Sequence, residues 1–115
     1  MAARLVSLLV SGATATCGIT DLEVAATAPG GDDHAEVVAE RRLFPRVAID
    51  DEVLDRAIEV QGQLLDPPVP LSALVVAAAA ERAGLIVLHH DASFDRIAAV
   101  TGQPTEWVTA TGTAP

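Results

Sequence analysis

Apolar and polar positions along this chain recur in two periods. Between Ala3 and Val10 the apolar Leu5, Leu8 and Leu9 fall at helical spacing and Ser11-Gly12 stops the run, which predicts a short amphipathic helix. Ala13 to Ile19 is small, β-branched and flanked by glycine, the signature of a buried strand. Thr20 with Glu23 three residues on has capping-box spacing and opens a helix, which Pro29-Gly30-Gly31-Asp32-Asp33 ends. His34 to Arg42 predicts a polar helix with Val37 and Val38 inward, closed by Pro45. A short strand over residues 46–49 precedes a helix capped by Asp50-Asp51, with Val53, Leu54, Ala57, Ile58, Leu64 and Leu65 on its apolar face. Asp66-Pro67-Pro68-Val69-Pro70 forces an extended loop. Leu74 to Ala83 is apolar almost all round, a buried helix with Gly84 as its C-cap. Leu85 to Leu88 predicts a buried strand ending in His89-His90-Asp91. A helix over Phe94–Val100, capped by Ser93 and closed by Gly102, a strand at Thr105–Val108 with Trp107 in the core, and a loose tail at 109–115 complete the chain.

Helices set between short Val- and Ile-rich strands indicate an α/β fold with a parallel sheet, its strands near 13–18, 46–49, 85–89 and 105–108. Such sheets gather ligands and catalytic groups at the carboxyl ends of their strands. The linkers are too short to divide the chain, so 1–108 reads as one domain.

Composition narrows the function. Half of the 115 residues are apolar and aromatics are 3%, with no Tyr, so the core is built from Ala, Val, Leu and Ile. Disorder is excluded as a global description, and binding of single strands by aromatic stacking is disfavoured. Sixteen acids against seven bases, all Arg, give a net charge of −9, unlike a plain electrostatic DNA binder. A nuclease stays open, because metal ions at a carboxylate cluster supply the positive charge that phosphate needs. The lone Cys17 reads as a buried inert thiol in a reducing cytoplasm. No apolar run approaches the roughly 20 residues of a membrane span, and the N-terminal stretch imitates a signal peptide with too short an apolar segment.

Candidate chemistry centres on acids and histidines. His89-His90-Asp91 ends the strongest strand; it is either a metal or acid–base site or a solvated strand end with Asp91 capping the next helix. Adjacent strand residues face opposite ways, so His89 and His90 do not share one ion. Glu23 suits a first helical turn on dipole grounds alone. Asp95 lies one turn beyond Asp91 and could share its face.

Three segments fall in a familiar order: Ala13 to Glu23, Phe44 to Gln61, and above all Ala77 to Asp91 followed by Ser93 to Val108. In these the chain resembles the VapC branch of the PIN-domain proteins, the toxin half of VapBC toxin–antitoxin pairs. The resemblance implies a three-layer α/β/α sandwich around a mainly parallel sheet. It also implies an endoribonuclease dependent on Mg²⁺ or Mn²⁺, a VapB-like antitoxin as partner, RNA as substrate and a homodimer. The family's second acid falls on Glu23 and its late acid on Asp91, the implied catalytic pair, with Asp95 beside them as a further metal ligand.

The family pattern is incomplete here. The first family strand, hydrophobic-hydrophobic-Asp-x-Ser, is missing, so the sheet is expected to lack its middle row. Ala73 stands where a third acid normally opens the Ala-rich helix, and Ser93 replaces an Asp before the Phe. The expectation is a truncated or degenerate toxin with impaired catalysis, or a non-catalytic protein that still binds antitoxin.

Overall fold

In a computed structural model of the chain, residues 7–10, 13–109 and 112–113 are described. Eleven elements follow one another: β1 (Ser7–Val10), β2 (Ala13–Cys17), α1 (Gly18–Ala25), α2 (Gly31–Arg41), β3 (Arg46–Val47), α3 (Asp51–Gln61), α4 (Leu71–Ala83), β4 (Ile86–His89), α5 (Ser93–Thr101), β5 (Thr105–Thr109) and β6 (Gly112–Thr113). The strands form one sheet in the order β3-β2-β1-β4-β5-β6. The fold is α/β, as the sequence implies.

The sheet differs from expectation at its centre. Ser7–Val10 is a strand, not the end of a helix, and it lies between β2 and β4, antiparallel to both. Leu8 pairs with Ala15 on one side and with Val87 on the other. The middle row is therefore filled. A short apolar run fits either period, and the Ser11-Gly12 connection is short enough for a hairpin to β2. Residues 3–6 of the expected helix lie outside the described residues. Parallel pairing joins β2 to β3 and β4 to β5, while β1 and β6 pair antiparallel, so the described sheet is mixed rather than mainly parallel. Part of the expected loose tail forms β6 against β5.

The core is built around α4. Ala73, Leu74 and Val76 to Ala80 are all buried, joined by Val53, Ala57 and Val60 of α3, Val87 of β4, and Phe94 and Ile97 of α5. Alanine faces let the neighbouring elements approach α4 closely. Gly84 ends α4 at φ 72°, a left-handed conformation that glycine adopts without a Cβ clash. Arg56 of α3 grips Glu81 of α4 with two bonds, Nε to Oε1 at 2.7 Å and a terminal nitrogen to Oε2 at 3.1 Å. The buried Gln103 amide donates to the Ala77 carbonyl at 2.9 Å and ties the α5–β5 connection to α4.

Two local readings change. Helix α1 begins at Gly18 with Cys17 as its N-cap and no side-chain cap, so Thr20 is a buried helix residue beside the fully buried Cys17 rather than a cap. On α3 only one stripe is buried, and Leu54 and Ile58 of the expected apolar face are exposed, Ile58 by 64%. Asp50 does cap α3, accepting from the Val53 N–H at 3.0 Å.

A buried acid joins α1, α2 and β3. Both oxygens of Asp21 are used: Arg41 donates to one at 2.9 Å and Arg46 to the other at 2.8 Å, with the Thr16 hydroxyl adding a third bond at 2.9 Å. Burial opposes ionisation of this carboxyl, but the bonds from Arg41, Arg46 and Thr16 outweigh it and hold Asp21 below its ordinary range. A depressed acid stabilises the fold above its unfolded-state value of 3.8 and loses that contribution as pH falls below it. Asp21→Asn is expected to lower stability by about 2–3 kcal/mol at pH 7. In denaturant melts, the gap to the parent should narrow below pH 4; a gap independent of pH would show that the charge does not matter.

His89 behaves in the opposite part of the pH scale. It is fully buried between Phe94 and Trp107, each ring centroid 5.0 Å from its own. Burial lowers its basicity against the raising effect of Asp95 and Asp91. The unfolded chain thus takes up this proton first, and stability should fall as pH drops below about 6.5, by at most roughly 1.4 kcal/mol per pH unit. His89→Phe keeps the ring packing and should flatten melting curves between pH 5 and 6.5. An unchanged slope would assign the effect to other groups.

Candidate functional site

Glu23 lies on α1, half-buried, and its Oε2 accepts a hydrogen bond from the Ser72 hydroxyl at 3.1 Å. Ser72 is the second residue of α4, so the carboxylate is held at the N-terminal turn of that helix, where the backbone dipole favours a negative charge. The side chain of α4 that meets Glu23 is thus Ser72. Ala73, the position where the resemblance puts a third acid, is 2% exposed and belongs to the core.

Asp91 follows β4. Its Oδ1 accepts from the Ser93 N–H at 3.0 Å, and its own N–H donates to His89 Nδ1 at 3.2 Å. The first of these bonds closes the turn that leads into α5, whose N-cap is Ala92 with no side-chain cap, so neither Asp91 nor the expected Ser93 caps that helix. The second sets the His89 tautomer: Nδ1 accepts, so the proton of neutral His89 sits on Nε2. His89 Nε2 is buried and has no hydrogen-bond partner among the described residues; it lies 3.8 Å from Asp95 Oδ1. His90, one residue on, is exposed, as strand alternation requires.

Asp95 is engaged elsewhere. The Trp107 indole donates to its Oδ2 at 2.8 Å, linking α5 to β5. Trp107 is 37% exposed, so it is a rim residue rather than the core residue expected. Neither this bond nor the Ser72–Glu23 bond was signalled by spacing, because each joins elements distant in sequence.

Among the described residues, no three His, Cys, Asp or Glu side chains gather as a set able to hold a metal ion. Glu23, Asp91 and Asp95, the expected ligands, each have a described contact of their own. Mg²⁺ demands near-ideal octahedral oxygen coordination and gives up water reluctantly. Here Glu23 is bonded to a serine, Asp91 closes a turn, and Asp95 holds an indole.

The sequence also gave no notice of Asp21. It stands two residues before Glu23, and about 200° around a helix separates such a pair, so the two acids face different surroundings. The available signal was the company of Arg41, Arg42 and Arg46, the one place where three of the seven arginines lie within six positions.

No protein-family model matches the chain. Among curated proteins it is 44% identical over 116 residues to "Ribonuclease VapC21" of Mycobacterium tuberculosis, covering 96% of this chain and 84% of that protein. "Ribonuclease VapC18" of the same organism is 35% identical over 119 residues, covering 98% and 87%. "Ribonuclease VapC51", also from that organism, is 38% identical over 109 residues, covering 92% and 80%. Identity of this level across most of both chains, together with the α/β sheet, places the chain in the VapC family of PIN-domain ribonuclease toxins.

Proposed function

We propose that this chain is the toxin-side member of a VapBC-type pair, with the fold of the metal-dependent endoribonucleases and little or no cleavage activity of its own. Similarity to VapC21, VapC18 and VapC51 supports the ribonuclease ancestry and a VapB-like antitoxin as partner. The observation that supports the loss of activity is the start of α4: a buried methyl stands at position 73, where the family resemblance puts a carboxylate, and the neighbouring Ser72 hydroxyl meets Glu23 at 3.1 Å. Metal-assisted phosphodiester hydrolysis needs the ion for both the nucleophile and the developing charge, effects worth several kcal/mol. Ligands that act as a unit do not fail independently, so a thinned set loses most of the rate at once. What remains is a folded α/β surface able to hold an antitoxin, and Glu23 and Asp91 are the residual acids of the ancestral centre. Mg²⁺ or Mn²⁺ binding by these two alone would be weak.

Incubation of total RNA with the purified chain and Mn²⁺ or Mg²⁺ should give no cleavage that EDTA abolishes. Robust EDTA-sensitive cleavage that disappears in Asp91→Asn would overturn the reading and show that Glu23 and Asp91 suffice.

A second measurement avoids activity altogether. Ser72→Asp puts a carboxylate against Glu23 and should raise Mn²⁺ affinity, by calorimetry, at least about tenfold, equivalent to about 1.4 kcal/mol. Ala73→Asp should instead destabilise, because it buries a charge in the α4 core. Equal Mn²⁺ affinity in Ser72→Asp and the parent would remove Glu23 from the metal site.

A further inference from the structure

A cavity of about 600 Å³ opens between α1, α2 and α3, and its lining includes none of Glu23, Asp91 and Asp95. Its walls are apolar, formed by Ile19, Leu22, Val38, Leu54 and Val75. Its polar lining is mostly basic: Arg41, Arg42 and Arg46 all contribute, with Asp21 as the one acid. A chain of net charge −9 has thus placed three of its seven arginines on one apolar cavity.

We propose that this cavity is a binding site for a small apolar carboxylate, its hydrocarbon body between the helices and its head at the guanidinium groups. Three observations select that ligand. The volume lies within the range of about 300–1,000 Å³ typical of small-molecule pockets. The charge is unbalanced, because the three arginines face one carboxylate whose two oxygens are both already engaged by Arg41 and Arg46. Among the described residues the Arg42 side chain makes no ion pair or hydrogen bond. Arg46 is 58% exposed and gives Asp21 one of its donor nitrogens, so further N–H groups stay open to a ligand.

The alternatives fit less well. A cation meets the net positive charge of the lining. A neutral hydrocarbon offers no acceptor to the N–H groups of Arg42 and Arg46 that Asp21 leaves open. A carboxylate meets them with the planar, two-pronged geometry that arginine favours. Asp21 contributes by positioning: it holds Arg41 and Arg46 in place before any ligand arrives, so binding orders fewer side chains.

The test uses decanoate, with decanol and octylammonium as neutral and cationic counterparts, titrated calorimetrically into the full chain at low ionic strength. Decanoate should bind at one saturable site at least about tenfold more tightly than decanol, and octylammonium should not bind. Arg42→Gln removes a side chain with no internal partner, so the fold should stand; it should weaken decanoate about tenfold and leave decanol unchanged. Val38→Trp fills the cavity and should abolish binding of both. Methyl chemical shifts should move at Leu22, Val38 and Leu54 in the parent, locating the ligand even where Val38→Trp does not fold. Equal affinity for decanoate and decanol, an unaffected Arg42→Gln, shifts centred elsewhere, or no binding at all would each overturn the proposal. This site is independent of the ribonuclease reading, since neither Glu23 nor Asp91 enters any of these measurements.

Discussion

Close packing on the alanine face of α4 is the constraint from which the remaining arrangement follows. A core with two Phe and one Trp in the whole chain cannot fill space with large rings, so it must bring backbones together. Ala77 to Ala80 do this from the middle of α4, and every one of them is buried. Close approach gains many small dispersion contacts but leaves no tolerance for added atoms. The polar ties around α4 act at its margins instead: Glu81 to Arg56 on one side, the Ala77 carbonyl to Gln103 on another, and Ser72 to Glu23 at its start. Position 73 sits inside the packed face, so its side chain is determined by the core before chemistry has any claim on it.

That ordering explains which features were legible in the sequence. The α4 helix, its glycine cap, the strand into His89 and the cap at Asp50 follow from local pattern, and the structure has them. The N-terminal strand was not legible. Leu5, Leu8 and Leu9 satisfy helical spacing, but the position between β2 and β4 offers two rows of backbone hydrogen bonds to a strand and none to a helix. Unpaired buried N–H and C=O groups cost about 1–3 kcal/mol each, enough to override a weak local preference. Trp107 misled for a related reason. Its indole N–H needs an acceptor, and Asp95 at the rim supplies one that the apolar interior does not.

The candidate site was legible as residue types and not as an arrangement. Glu23 and Asp91 stand out because each follows a strand, where parallel sheets collect functional groups. Their partners are another matter. Ser72 is 49 positions from Glu23, and Trp107 is 12 from Asp95, so neither bond leaves a periodic trace. Among the described residues no three His, Cys, Asp or Glu side chains gather as a set able to hold a metal ion, and local pattern has no means of showing such a gathering.

Helix α1 shows how one short element serves two separate sites. Asp21 and Glu23 are both carboxylates on the same eight-residue helix, yet they face opposite demands. Asp21 is buried and its charge is met by two guanidinium groups, so its energetic role is structural and it stays ionised down to low pH. Glu23 accepts a hydrogen bond from the neutral Ser72 hydroxyl of α4. The difference comes from what lies opposite each side chain. Arginines gather opposite Asp21, beside the apolar cavity, while the start of α4 lies opposite Glu23. One face of α1 is thus tied to α2 and β3 by an ion-pair network beside the arginine-lined cavity, and another is tied to the start of α4 by a neutral donor, so the same short helix anchors two different parts of the core.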